Sequence, residues 1–201
     1  GDIVGEYKLS DNVTHGFLLK NGVFTTIDYP ASVWTQLWGI NAQGDIVGQY
    51  KVNGDANIHG FLLRDSIFYN IDIPLQANSM PYKITPNGMI VGCAHGTGYM
   101  YGFTKDSTGV TLNPMLMAMH TGVNAAGDIV GNYTDPTTGL FINSYLISNG
   151  VTTMFTYPGS YVTRAWDISS TGDVVGFFRD TTPSSHPFHG FLSHQGEMTK
   201  I

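Results

Sequence analysis

Few side chains in this chain of 201 residues could bind a metal, carry a proton or attack an electrophile: seven histidines, one cysteine and 15 acids. Their spacing argues against all three uses. His15, His59 and His189 each stand before Gly-Phe, so they occupy equivalent positions of a repeat, too far apart to share one ion. Each is expected to bond to backbone or to a neighbouring sheet. His186 and His189 stand three apart, but a zinc site needs further ligands. Asp2, Asp45, Asp128 and Asp173 each follow a glycine, where a carboxylate is expected to cap turn N–H groups. They lack the dense alternation of acids in a calcium loop. No metal site and no cofactor is therefore expected. The Gly-x-Ser-x-Gly elbow, the phosphate loop and His-Glu-x-x-His are all missing. Cys93 lies within an apolar run and reads as a small buried hydrophobe. A single cysteine allows neither an intramolecular disulfide nor a cysteine-based zinc site.

Binding is better served than catalysis. Trp34, Trp38, Tyr82, His120, Arg164 and Trp166 are the candidate ligand contacts. Aromatic faces beside a few polar groups suit a glycan or another small polar molecule. The competing assignment makes Trp38 and Trp166 filler between neighbouring sheets. Asp167 stands beside Trp166, yet glycoside hydrolysis needs two carboxylates facing each other across a channel. The methionines Met115, Met117 and Met119 are expected to fill gaps under an irregular unit, with an adaptable binding surface as the alternative.

The elements that must position these residues come from a repeat. Gly-Asp-Ile-Val-Gly occurs at residues 1–5, 44–48 and 127–131, and returns as Gly-Met-Ile-Val-Gly at 88–92 and Gly-Asp-Val-Val-Gly at 172–176. A second word follows each time: His15-Gly16-Phe17, His59-Gly60-Phe61, Tyr101-Gly102-Phe103, Asn143-Ser144-Tyr145 and His189-Gly190-Phe191. Ile27-Asp28-Tyr29-Pro30 and its echoes supply a third. Each unit resolves into four short strands, the first at residues 37–41 in the clearest copy. Asn41-Ala42-Gln43-Gly44 reads as a type I turn whose glycine takes a positive φ and forms a bulge. Gly48 and Gly60 are expected to let adjacent sheets or backbones approach closely.

Units of four strands joined by three hairpin-like links and one longer crossover describe the blades of a propeller. The expected fold is all-β: a five-bladed β-propeller built from repeats of about 43 residues, at about 1–36, 37–81, 82–120, 121–165 and 166–201. The first blade lacks its first strand. A closed ring is expected; an open arc, a β-solenoid or a sandwich is the structural alternative. The chain opens inside a repeat, which reads as a trimmed or processed product.

The words "FTTIDYP", "WGINAQGDIVGQY", "THGFLL" and "IHGFLL" resemble those of bacterial extracellular proteins called HAF-repeat proteins. The likeness runs over nearly the whole chain. The alanine of that family's His-Ala-Phe is glycine here, and the fourth unit reads "NSYLI" without the histidine. The resemblance implies secretion or display at a bacterial cell surface, and it implies no reaction.

Composition agrees with turns and strands. Charged residues make up only 12% and there are 25 glycines. The formal charge is −6 with nine Lys and Arg, and no basic cluster exists to bind nucleic acid or an anionic membrane. No apolar run is long enough to cross a bilayer as a helix. The chain is expected to be a non-catalytic binding or scaffolding module whose ligand is a glycan or small polar molecule. A glycosidase-like enzyme and a purely structural surface repeat are the alternatives, and no oligomeric state is implied.

Overall fold

The structure, a computed structural model, describes all residues except 11, 97, 116, 135–140 and 182–186; at 141 and 142 it describes the backbone alone. Among the described residues the elements are strands, with no helix. They form five antiparallel sheets, each continuous in sequence. The first holds β1 (Ile3–Lys8), β2 (Thr14–Lys20) and β3 (Val23–Ile27). The second holds β4 (Ser32–Ile40), β5 (Ile46–Val52), β6 (His59–Arg64) and β7 (Ile67–Ile71). The third holds β8 (Asn78–Ile84), β9 (Ile90–His95), β10 (Met100–Lys105) and β11 (Val110–Leu112). The fourth holds β12 (Ala118–Val123), β13 (Ile129–Thr134), β14 (Phe141–Ser148) and β15 (Val151–Phe155). The fifth holds β16 (Ser160–Ile168), β17 (Val174–Asp180), β18 (Phe188–His194) and β19 (Glu197–Lys200).

Turn chemistry sets this order. Gly44, Gly88, Gly127 and Gly172 all have φ between +85° and +90°, a conformation that costs glycine nothing in sterics. The link between third and fourth strands is a two-residue loop with both residues at positive φ in four sheets: Asn21-Gly22, Asp65-Ser66, Asn149-Gly150 and Gln195-Gly196. Its backbone twist matches that of the strands it joins. Capping differs from expectation. The turn N–H groups donate to Asn41, Asn124 and Ser169, which open the turns, and not to the aspartates. Asp45 instead accepts from Asn41 and from Arg64 Nε and Nη2, the latter two at 2.9 and 2.7 Å. The Arg64 hydrogen bonds hold its carboxyl below the ordinary carboxylate range.

The first strands begin earlier than expected, at Ser32, Asn78, Ala118 and Ser160. The crossovers preceding them shrink to 28–31, 72–77, 113–117 and 156–159. The reason is a β-bulge in each first strand, between Leu37/Gly39, Pro81/Lys83, His120/Gly122 and Ala165/Asp167. An extra residue breaks the two-residue alternation by which a strand is recognised.

The first strand of each sheet packs on the sheet before it, so the sheets follow one another around a common line of first strands. Leu37, Pro81 and His120 cover Gly16, Gly60 and Gly102 of the preceding sheet, where a Cβ would come within 2.4–2.8 Å of them. At Gly48 the close approach is by backbone: its missing Cβ makes room for the Gln36 carbonyl, and for the Phe61 ring, of its own sheet, at 2.3 and 2.6 Å. Ring stacks tie one sheet to the next, Tyr29 on Tyr50 at 3.5 Å and Tyr157 on Phe178 at 3.7 Å between centroids. Closure is not observed. Among the described residues, the fifth sheet packs on the fourth and has no comparable contact with the first.

The histidine column also finds other partners than expected. His15 meets Asp28 at 2.8 Å, His59 meets Asp72 and Asp55 at 3.1 Å, and His189 meets Asp180 at 2.7 Å. These carboxylates belong to the same repeat unit as the histidine, so the column ties each unit to itself. His186, the other member of the His186/His189 spacing, lies outside the described residues.

Candidate functional site

Where the first strands converge they enclose a cavity of about 140 Å³, lined by Trp38, Tyr82, Lys83, Met119, Thr121, Arg164 and Trp166. These residues come from β4, β8, β12 and β16, one strand from each of four sheets. That space is enough for several waters or one small ligand.

The bulges decide which side chains reach it. At each bulge two residues oppose one on the partner strand. Tyr82 and Lys83, consecutive in sequence, therefore both line the cavity. Trp38, Thr121 and Trp166 occupy the position of Tyr82 in their own bulges, and Gly39, Gly122 and Asp167 that of Lys83. The two glycines are required by neighbouring backbone. A Cβ at Gly39 would lie 2.7 Å from the Tyr82 carbonyl oxygen, and one at Gly122 would lie 2.8 Å from Asp167 Cα. With no side chain at Gly122, Lys83 of the third sheet donates to Asp167 Oδ2 of the fifth at 2.6 Å. The other oxygen of Asp167 accepts from the Ile168 N–H at 3.0 Å.

The remaining polar groups of the lining are turned to the protein. Thr121 donates to the carbonyls of Ala165 and Val130. The Tyr82 hydroxyl lies 3.3 Å from Cys93 Sγ and 3.9 Å from Met80 Sδ, and burial drives its pKa far above the ordinary phenol value. Tyr82 thus offers the cavity a ring, set edge-on to Trp38 at 5.3 Å. Cys93 behind it is fully buried, and burial pushes its thiol up to about 12, which leaves it an inert thiol. The indole N–H of Trp38 is buried with no partner among the described residues. Trp166 is 47% exposed and is the wall that meets solvent. Arg164 lies 5.9 Å from the Phe177 ring, and burial lowers the pKa of its guanidinium.

Four of the six expected contacts, Trp38, Tyr82, Arg164 and Trp166, share this cavity. Trp34 and His120 do not line it. Trp34 pairs with Lys51, whose ammonium lies 5.9 Å from its ring. His120 is 2% exposed and fills the space that Leu37 and Pro81 fill in their sheets. It sits opposite the Phe103 carbonyl at 3.2 Å through Nδ1 and Asn113 Nδ2 at 3.1 Å through Nε2. A carbonyl only accepts, so the neutral ring carries its proton on Nδ1 and accepts on Nε2. Burial lowers its pKa to about 4. The column of Leu37, Pro81, His120 and Ala165 fills the wedge between sheets that Trp38 and Trp166 were the alternative candidates to fill.

Lys83 and Met119 were not singled out as contacts from sequence. The available signal for Lys83 was its alignment with Asp167, each directly after the aromatic position of its unit. Among the described residues, no three His, Cys, Asp or Glu side chains cluster as metal ligands.

No family model matches the chain, and no curated protein matches it in sequence. Similarity is found among solved structures. A streptogramin B lyase shares the fold with a TM-score of 0.51 at 14% identity, over 97% of this chain and 66% of that one. A virginiamycin B lyase from Staphylococcus aureus has a TM-score of 0.49 at 13% identity, over 98% of this chain and 68% of that one. This chain spans about two thirds of the length of each. At such identities the likeness concerns the fold alone, which is β-propeller-like.

Proposed function

We propose that the chain is a non-catalytic binding module built on a five-bladed β-propeller plan, its first blade one strand short. Its ligand is a glycan or another small polar molecule held among the first strands. The observation that carries this reading is the convergence of Trp38, Tyr82, Arg164 and Trp166, from three sheets, on one cavity. Aromatic walls with a few placed polar groups are the usual make-up of a small-ligand site. Glycoside hydrolysis is disfavoured: no carboxylate lines the cavity among the described residues, and the nearby Asp167 is held by Lys83. An extracellular bacterial setting belongs to the same proposal and rests on the HAF-type words.

A glycan array followed by calorimetry tests it, with Trp38→Ala and Trp166→Ala beside the parent chain. The expected result is binding by the parent, a loss of at least about tenfold in each folded variant, as for a stacked ring worth 1–3 kcal/mol, and ligand recovered unaltered. Binding to no glycan would leave the structural-repeat alternative in its place. Binding that neither variant weakens would move the ligand elsewhere, and cleaved ligand would refute the non-catalytic reading.

A further inference from the structure

We infer that the first sheet takes up an extended segment of another polypeptide, an aromatic-proline pair leading into a strand. The segment lays its ring between Tyr7 and Phe24 and pairs with the free edge of β1. The ligand cavity plays no part in this. Two observations, on different parts of the sheet, point to the same occupant.

The first concerns the edge. Gly5, Gly48, Gly92, Gly131 and Gly176 hold one register position, each opposite an aromatic residue of the next strand. In four of the sheets a first-strand carbonyl presses into the space a Cβ would fill: that of Gln36, Met80, Met119 or Arg164. At Gly5 the three nearest atoms all belong to the Phe17 ring. β1 pairs with β2 alone, so its other side presents unpaired backbone groups, a template for a further strand.

The second concerns the face. Tyr29, in the crossover before β4, lies flat on Tyr50 at 3.5 Å and edge-on to Phe68 at 5.1 Å. Tyr157, before β16, lies on Phe178 in the same way. In the first sheet Tyr7, Phe24 and Thr26 stand where Tyr50, Phe68 and Asn70 stand in the second. Tyr7 bonds to Thr26 at 2.7 Å, as Tyr50 does to Asn70 at 2.6 Å. Where Tyr29 would lie there is a groove of about 290 Å³, lined by these three residues, Phe17 and Thr25. Phe17 is half-buried and Phe24 is 68% exposed, whereas Phe61, the counterpart of Phe17, is fully buried.

The segments that fill the equivalent places define the occupant's chemistry. Tyr29-Pro30 and Tyr157-Pro158 are each followed by a residue of positive φ, Ala31 or Gly159. The Ser32 and Ser160 N–H groups then donate back to the tyrosine carbonyls, and the tyrosine N–H groups donate to Thr35 and Thr163. This short turn carries the chain from the ring's seat to the sheet edge. Main-chain pairing supplies affinity in such strand addition, and the pocket supplies selectivity. A second copy is a poor donor, because its Tyr29 and Tyr157 already fill these seats in its own sheets.

The synthetic peptide Thr156–Ser169 is the probe, with fluorescence anisotropy for affinity and hydrogen exchange for the backbone it covers. Saturable binding to the parent chain is expected, with slowed exchange at residues 3–8. Tyr157→Ala in the peptide and Phe24→Ala in the chain should each weaken binding at least about tenfold. Phe24 is exposed enough for its loss to spare the fold, and the peptide variant leaves the chain untouched. No binding overturns the inference, as does binding that both substitutions leave unchanged. Binding that leaves residues 3–8 exchanging freely overturns the pairing with β1. A parent chain that self-associates, with Phe24→Ala abolishing the association, assigns the face to a second copy and overturns the inference as well.

Discussion

Burial has fixed the protonation state of His120, and this gives the fold an acid-labile point. Unfolded, the ring takes a proton near 6.5; folded, near 4. Between these values the unfolded chain binds more protons, so stability rises with pH across that window. The contribution is complete above pH 6.5 and is lost as pH falls towards 4, amounting to about 3 kcal/mol if the whole shift is expressed. His59 works in the opposite sense. Its pKa is raised because its bonds to Asp55 and Asp72 outweigh desolvation, the largest single effect on it. Its contribution is present below pH 6.5 and fades as pH rises through the folded value. Urea denaturation of the parent and His120→Gln from pH 4 to 8 separates them: the difference between the two proteins should grow with pH up to 6.5 and then level off. A difference independent of pH would mean that the ring is not held neutral. Gly122 makes a second claim at this scale. Its Cβ would press on Asp167 Cα at 2.8 Å and on Oδ1 at 2.9 Å, and backbone yields less readily than a side chain. Gly122→Ala should cost roughly 1–3 kcal/mol, in the range of overpacked sites, and thermal melting would show it. A melting point equal to the parent's would mean that the fourth and fifth sheets stand further apart.

At the scale of elements, what the sequence revealed and what it hid have the same origin. Repeated words such as Gly-Asp-Ile-Val-Gly mark second strands because glycine punctuates both ends of each word. Asn21-Gly22 and Asn149-Gly150 mark hairpin loops because few residues tolerate two successive positive φ values. The first strands were half legible. Ser32 to Gln36 hold only two apolar residues, Val33 and Trp34, side by side, so the segment read as crossover and Trp34 as a loop contact. A bulge concealed Lys83: a strict alternation places it on the face opposite Tyr82, whereas the bulged strand puts both in the cavity. His120 failed as a contact for the complementary reason, since its position is the wedge position of the strand. The turn openers carry a prediction of their own. Asn124 accepts from the N–H groups of Ala126 and Asp128 and donates to Asp128 and to the Ser169 carbonyl of the next sheet. Asn124→Ala leaves these groups without partners at a largely buried site and should cost roughly 2–3 kcal/mol. Asn124→Ser keeps the turn cap, as Ser169 does in the fifth sheet, and should recover about half of the loss. Equal loss in both variants would assign the whole effect to the bridge between sheets.

The whole molecule is a succession of sheets in which each interior interface buries the same two columns. The first column faces the preceding sheet: Ile46, Ile90, Ile129 and Val174 are 2–6% exposed, but Ile3 in the first sheet is 54% exposed. The second column faces the following sheet: Val47, Val91 and Val130 are fully buried, but Val175 in the fifth is 39% exposed. Apart from Val4, which stays half-buried against the second sheet, equivalent residues in equivalent strands thus differ in whether a neighbouring sheet covers them. This turns the open succession into a measurable contrast. Val130→Ala removes two methyl groups from a closed interface and should cost roughly 2–3 kcal/mol, the transfer term plus a cavity. Val175→Ala removes the same groups from a face that water already reaches and should cost well under about 1 kcal/mol. Denaturant melts of the two variants at low protein concentration would measure both. If Val175→Ala costs as much as Val130→Ala, the outer face of the fifth sheet is covered in solution. A cost that grows with protein concentration would then assign the cover to a second copy, and a constant cost would assign it to the chain's own first sheet, closing the ring.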